Sequence, residues 1–118
     1  MSYVSLIQAD LGASVRVAAI LLQGRGDNYN QYVTSFTLAV SDDGSRFRFI
    51  KRDGSTSAID DNAVVFPGSY NKDSVVEVRL PVPIETHYVR LFPQTFVGHI
   101  SLRWDILKCE GGGKFFNI

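Results

Sequence analysis

Residues 32–51 read YVTSFTLAVSDDGSRFRFIK, and their pattern decides the fold. In Tyr32–Val40 the side chains of Phe36, Leu38 and Val40 fall on one face at a period of two, with Thr37 and Ala39 on the other, as in a strand with one face against a core. Ser41-Asp42-Asp43-Gly44-Ser45 interrupts the alternation with turn formers. Asp-Gly between two alternating runs predicts a hairpin, because glycine enters φ > 0 without steric cost. Arg46–Lys51 then alternates again, with Phe47 and Phe49 on one side and Arg46 and Arg48 on the other. Two strands joined by a turn predict antiparallel sheet.

The flanks extend the same pattern. Ser5–Leu11 is a short apolar-rich run closed by Gly12, and Val15–Leu22 is almost wholly apolar, as suits a strand covered on both faces. Asp53–Asn62 is small and polar and predicts a loop. Ala63–Phe66 predicts a short strand stopped by Pro67-Gly68. In Val75–Leu80 the residues Val76, Val78 and Leu80 oppose Glu77 and Arg79. Pro81-Val82-Pro83 lacks the N–H donors of a central ladder and predicts a break. Tyr88–Phe92 and Ile100–Leu107 are the last two strands. No stretch carries helical periodicity. Seven or eight short strands with turn signals every 8–15 residues predict an all-β antiparallel barrel or sandwich. One domain is expected over residues 1–110, followed by a flexible tail at 111–118 that opens with Gly111-Gly112-Gly113.

Composition narrows the function. The 118 residues are 45% hydrophobic and 20% charged, enough apolar content for a core and unlike a disordered chain. The longest apolar run, Val17–Leu22, is far short of the ~20 residues of a membrane-spanning helix. Twelve Lys and Arg balance 12 Asp and Glu, so no global field collects nucleic acid. The chain opens without the charged and apolar regions of a signal peptide. The one cysteine, Cys109, has no partner for an internal bridge, and no metal centre is expected from it with His87 and His99. No nucleophile elbow, Walker loop or HExxH is present, so no catalytic residues are assigned.

Several short motifs then fall in order: Asp10-Leu11-Gly12, Gln23-Gly24-Arg25, Tyr32-Val33-Thr34-Ser35-Phe36, Ser41-Asp42-Asp43-Gly44, Phe66-Pro67-Gly68, Pro83-Ile84, Tyr88-Val89-Arg90-Leu91, Pro93, and Ile100-Ser101-Leu102-Arg103 through Leu107-Lys108-Cys109. Their order and spacing resemble the discoidin domain, also called the coagulation-factor C-type domain, from Leu6 to Cys109. The resemblance implies a distorted jelly-roll barrel with protruding loops at one end. It also implies an extracellular, non-enzymatic module of adhesion and recognition, whose relatives bind phosphatidylserine membranes, glycans, collagen or protein ligands. The chain departs from the family pattern in places. The pattern's first part, with one ligand-binding loop and the first cysteine, has no counterpart here. Leu6 replaces a tryptophan, Ser69 an asparagine and His87 an arginine. The family bridges its two cysteines; here the chain is either a piece of a domain or a shortened variant with Cys109 unbridged.

The resemblance makes the loop Gly24–Gln31 a protruding recognition loop. Tyr29 between Asn28 and Asn30 suits stacking on a sugar, while Asp27 and the amides meet hydroxyls. The candidate ligand-binding set is Arg25, Asp27, Asn28, Tyr29, Asn30, Phe96 and His99, with Phe96 read first as a packing residue and His99 as an edge histidine. The polarity of the loop favours a glycan or a cell-surface or matrix protein over deep insertion into lipid. Arg25-Gly26-Asp27 spells the tripeptide that integrins recognise, a cation and a carboxylate held apart on a turn. Asp27, Asn28 and Asn30 supply oxygens for calcium, too few alone; no other cofactor is implied. Arg46, Arg48, Lys51 and Arg52 form a possible basic patch for heparin-like glycans or anionic membranes, with nearby aspartates that would neutralise it. Asp10, Arg90 and Arg103 interrupt apolar strands, where an unpaired charge is costly, so a structural pair between Asp10 and one of the arginines is expected.

Overall fold

A computed structural model describes residues 6–25, 30–98, 100, 102–110 and 114–117. The strands are β1 (Ile7–Gln23), β2 (Tyr32–Ser41), β3 (Arg48–Ile50), β4 (Thr56–Ser57), β5 (Phe66–Pro67), β6 (Val76–Val97), β7 (Arg103–Glu110) and β8 (Lys114–Asn117). All pair antiparallel in one sheet of order β4-β3-β2-β6-β1-β7-β8, with β5 also on β2. No helix occurs among the described residues, as the sequence pattern predicts.

The long strands β1 and β6 shape the molecule. They pair from Ile7↔Leu91 to Asp10↔Tyr88, again from Val15↔Thr86 to Val17↔Ile84, and again from Ala19↔Arg79 to Leu22↔Val76. Between these stretches the ladder skips Leu11–Ser14 on β1 and Leu80–Pro83 on β6. Such insertions bend a strand, and they carry the β1–β6 ribbon from one layer to the other. Its first part lies beside β2, and its second part lies beside β7. Two strands read on each side of a break are therefore one bent strand. Pro81 and Pro83 stand in the skipped stretch, where no ladder N–H is needed.

The core lies between the layers. Val17, Ile20 and Leu22 of β1 meet Val33, Phe36 and Leu38 of β2, Val78, Val89 and Leu91 of β6 and Ile106 of β7. Each such burial contributes about 1.5–3 kcal/mol. Phe36 stacks on Phe66 with ring centroids 5.5 Å apart. Val17, Ala18, Ala19 and Ile20 are all buried, so this part of β1 is covered on both faces as its composition predicts.

The hairpin forms, but wider than a two-residue turn. The β2–β3 ladder starts at Val40↔Arg48, and Asp43 organises the residues between. Its Oδ1 accepts from Ser45 N–H at 2.8 Å, Arg46 N–H at 2.9 Å and Ser41 Oγ–H at 3.0 Å. These donors hold the Asp43 carboxyl down at about 2, below its ordinary 3.8. Gly44 takes φ 77°, and a Cβ there would press to 3.1 Å from the Tyr88 ring. Thr56–Ser57, read as loop, adds β4 to the edge, and Lys114–Asn117, read as flexible tail, forms β8 on β7.

The expected pair between Asp10 and an arginine does not form. Asp10 Oδ1 lies 3.0 Å from His87 Nε2 and accepts the Gly12 N–H at 2.8 Å. Arg90 sits opposite Gln8, donates Nε–H to its Oε1 at 2.7 Å, and covers the Phe47 ring at 3.7 Å. Arg103 lies opposite Gln23, at the other end of β1 from Asp10. The physical reason is exposure: Asp10 and Arg103 are solvent-accessible, so no desolvation cost drives them together.

Candidate functional site

Three loop segments converge where β1 ends, β2 begins and β6 ends. Backbone contacts at glycines hold them. A Cβ on Gly24 would lie 2.7 Å from Lys72 Cα and 2.9 Å from the Gln31 carbonyl oxygen. A Cβ on Gly98, whose φ is +72°, would lie 2.8 Å from the Asn30 carbonyl oxygen. Arg25 N–H donates to Gln31 O at 2.9 Å and closes the loop base. Arg103 Nη2–H donates to Arg25 O at 3.2 Å, and Gln23 Nε2–H to Asp73 O at 2.6 Å.

Of the candidate ligand-binding residues, Arg25, Asn30 and Phe96 meet at this end. Arg25 and Asn30 are exposed, and Phe96 is 46% exposed although its register partner Val33 is fully buried. Phe96 therefore offers much of its ring to solvent rather than serving as packing alone. Asp27, Asn28, Tyr29 and His99 lie outside the described residues, as does Gly26 of the Arg-Gly-Asp tripeptide and most of the suggested calcium ligands. No group of three or more His, Cys, Asp or Glu suited to a metal occurs among the described residues.

The basic patch is elsewhere. Arg46 and Arg48 lie at the far end of β2, about 30 Å from its start at ~3.3 Å per residue. They line a 310 Å³ cleft with Asp42, Asp43 and Glu85, so acids and bases share it. Arg48 donates to Thr56 Oγ1 at 3.0 Å and to Thr56 O at 3.3 Å. Lys51 and Arg52 belong to a different cleft with Asp53 and Asn62. The four cations thus divide between two mixed surfaces, because β3 ends at Ile50 and the chain turns at Lys51–Gly54, where Gly54 N–H donates to Lys51 O at 2.9 Å.

The sequence reading missed the segment Gly68–Ser74. Gly68 N–H and Ser69 N–H donate to Thr34 O and Val33 O, each at 2.8 Å. Asn71 Oδ1 accepts from Asp73 N–H at 2.9 Å and Ser74 N–H at 2.7 Å. This fixed loop presents Tyr70, 70% exposed, and leads into Val75, 58% exposed. A tyrosine inside Gly-Ser-Tyr-Asn-Lys-Asp, a stretch otherwise of turn residues, is the signal that could have found it.

Comparison with known proteins agrees with this architecture. The family model described as the F5/8 type C domain matches residues 2–106. Coagulation factor VIII of Sus scrofa is 33% identical over 88% of this chain, and lactadherin of Sus scrofa 32% over 87%. The chain spans 5% and 24% of the lengths of those two proteins. Among solved structures, wild-type discoidin II of Dictyostelium discoideum superposes with a TM-score of 0.72 at 27% identity, covering 87% of this chain and 36% of that one. CpGH89CBM32-5 of Clostridium perfringens, in complex with GalNAc-β-1,3-galactose, has a TM-score of 0.61 at 20% identity, covering 88% of this chain and 63% of that one, a likeness of fold.

Proposed function

This chain belongs to the F5/8 type C, or discoidin, family, and we propose that it is a non-enzymatic extracellular recognition module that binds a glycan through its loop end. The observation that carries the reading is Phe96, an aromatic ring left 46% exposed near the end of β6, beside loops whose backbones are locked at Gly24 and Gly98. An apolar ring held in water on a fixed frame suits the apolar face of a sugar, and the neighbouring Arg25 and Asn30 suit its hydroxyls. Asp27, Asn28, Tyr29 and His99 join the proposed contact set on sequence alone. A glycan of a cell-surface or matrix protein supplies the partner. A glycan array probed with the purified chain tests the reading: binding to at least one saccharide, lost in Phe96→Ala, supports it, and an array without a hit overturns it.

A second reading is peripheral binding to anionic phospholipid. It draws on the exposed Phe96 and Val75 beside the cations Arg25 and Arg103 at the same end. Co-sedimentation with phosphatidylserine vesicles, but not with phosphatidylcholine vesicles, would favour it over the glycan.

A further inference from the structure

We propose that Tyr70 is a second stacking position of the loop end, so that the site takes an oligosaccharide of at least two sugar units rather than a single one. The inference rests on the glycan reading and extends it to ligand length. Val33 at the start of β2 is flanked on one side by Phe96, its register partner, and on the other by Ser69, whose N–H donates to Val33 O at 2.8 Å. The Phe96 and Ser69 backbones therefore stand two strand spacings apart, about 10 Å, and Tyr70 follows Ser69 directly. Two linked pyranose rings span that separation, so that each can lie against one of the two aromatic rings.

The loop behind Tyr70 is rigid for reasons that do not involve Tyr70. Its backbone is tied to β2 through Gly68 and Ser69, closed on itself by Asn71, joined to β1 through Gln23, and pressed against Gly24 at Lys72. The Tyr70 ring makes no hydrogen bond or ring contact with a described residue and is 70% exposed. A fixed backbone that presents an unused aromatic ring to solvent is preorganised for contact, since little ordering cost remains on binding.

The test titrates galactose, N-acetylgalactosamine and GalNAc-β-1,3-galactose into the wild-type chain, Tyr70→Ala, Tyr70→Phe and Phe96→Ala by calorimetry. The expected result is that wild type binds the disaccharide about tenfold tighter than either monosaccharide, the scale of one added aromatic contact. Tyr70→Ala should bind all three alike, Tyr70→Phe should keep the gain, and Phe96→Ala should weaken all three. If wild type shows no gain for the disaccharide, if Tyr70→Ala keeps it, or if Tyr70→Phe loses it, the second position is overturned while the glycan reading stands. If wild type binds none of the three, both fall for these sugars. Unchanged melting of Tyr70→Ala separates lost contact from lost fold.

Discussion

His87 Nε2 lies 3.0 Å from Asp10 Oδ1 beside the bulge that turns β1 from one layer to the other. The same carboxylate oxygen accepts the N–H of Gly12, whose φ is +79°, so one side chain both stabilises the turn of β1 and ties it to β6. Asp10→Ala should therefore lower stability by about 1 kcal/mol, the net worth of an exposed pair plus a turn hydrogen bond. Arg103→Met, which among the described residues removes a hydrogen bond to the Arg25 carbonyl, should cost no more than about 1 kcal/mol. Urea unfolding of both variants checks this; a loss of several kcal/mol in Arg103→Met would restore a buried partner for that guanidinium.

Asp43 makes the acid limb of the stability curve predictable. Its carboxyl is held at about 2 against an ordinary 3.8, chiefly by the Arg46 and Ser45 N–H groups and then by the Ser41 hydroxyl. A group depressed on folding stabilises the fold when ionised, so its contribution is present above pH ~4 and is lost as pH falls toward ~2. The stability gap between wild type and Asp43→Asn should be constant above that window and shrink within it. Unfolding curves measured from pH 7 down to pH 2 check the sign; a gap that widens on acidification contradicts it.

Gly24 is a test of how the loops are held. A methyl group there would meet backbone atoms of Lys72 and Gln31, which cannot rotate away as a flexible side chain would. Gly24→Ala should cost about 1–3 kcal/mol, the range for overpacking, and should displace the Gly68–Ser74 segment from the base of the Gly24–Gln31 loop. Thermal unfolding and amide exchange at Lys72 and Asp73 report the two effects together. Unchanged exchange at both would remove this contact as the lock.

Ser69 carries a different expectation. It is 3% exposed and its Oγ finds no hydrogen-bond partner among the described residues. Burying a hydroxyl without a partner is unfavourable, so Ser69→Ala should leave stability unchanged or raise it by up to about 1 kcal/mol. A clear loss on denaturant unfolding would reveal a partner for that oxygen.

These expectations mark where the sequence was readable. Alternation in Tyr32–Val40 identifies β2, although the structure buries both of its faces from Phe36 to Ser41, and the apolar run Val15–Leu22 contains the doubly covered part of β1. The union of segments across Leu11–Ser14 and Leu80–Pro83 is not visible in a pattern, since a bulge looks like a turn until the partner strand is known. The partner of Asp10 escaped for a similar reason: the irregularity that follows Asp10 places His87, not an arginine, beside it. Of the candidate site, Arg25, Asn30 and Phe96 follow from the two loops that the family resemblance marks as lying toward the recognition end. Tyr70 does not, because its role depends on which strand start the Gly68–Ser74 loop flanks.

Phe96 separates a ligand contact from a packing residue most directly. Its register partner Val33 is fully buried, yet Phe96 is 46% exposed, so part of the residue is covered and part faces water. The covered part supports stability: truncation to alanine should cost about 1–2 kcal/mol, well below the ~3–5 kcal/mol of a fully buried phenylalanine. The exposed part supports binding: the same truncation should weaken affinity for any saccharide that binds by about 1–3 kcal/mol, the scale of a lost aromatic hot spot. Phe96→Leu distinguishes the two roles, because leucine restores the apolar cover but not the flat ring. It should recover most of the melting temperature and little of the affinity. If Phe96→Leu binds as well as wild type, the ring is not a stacking surface and its exposure reflects only the end of the sheet.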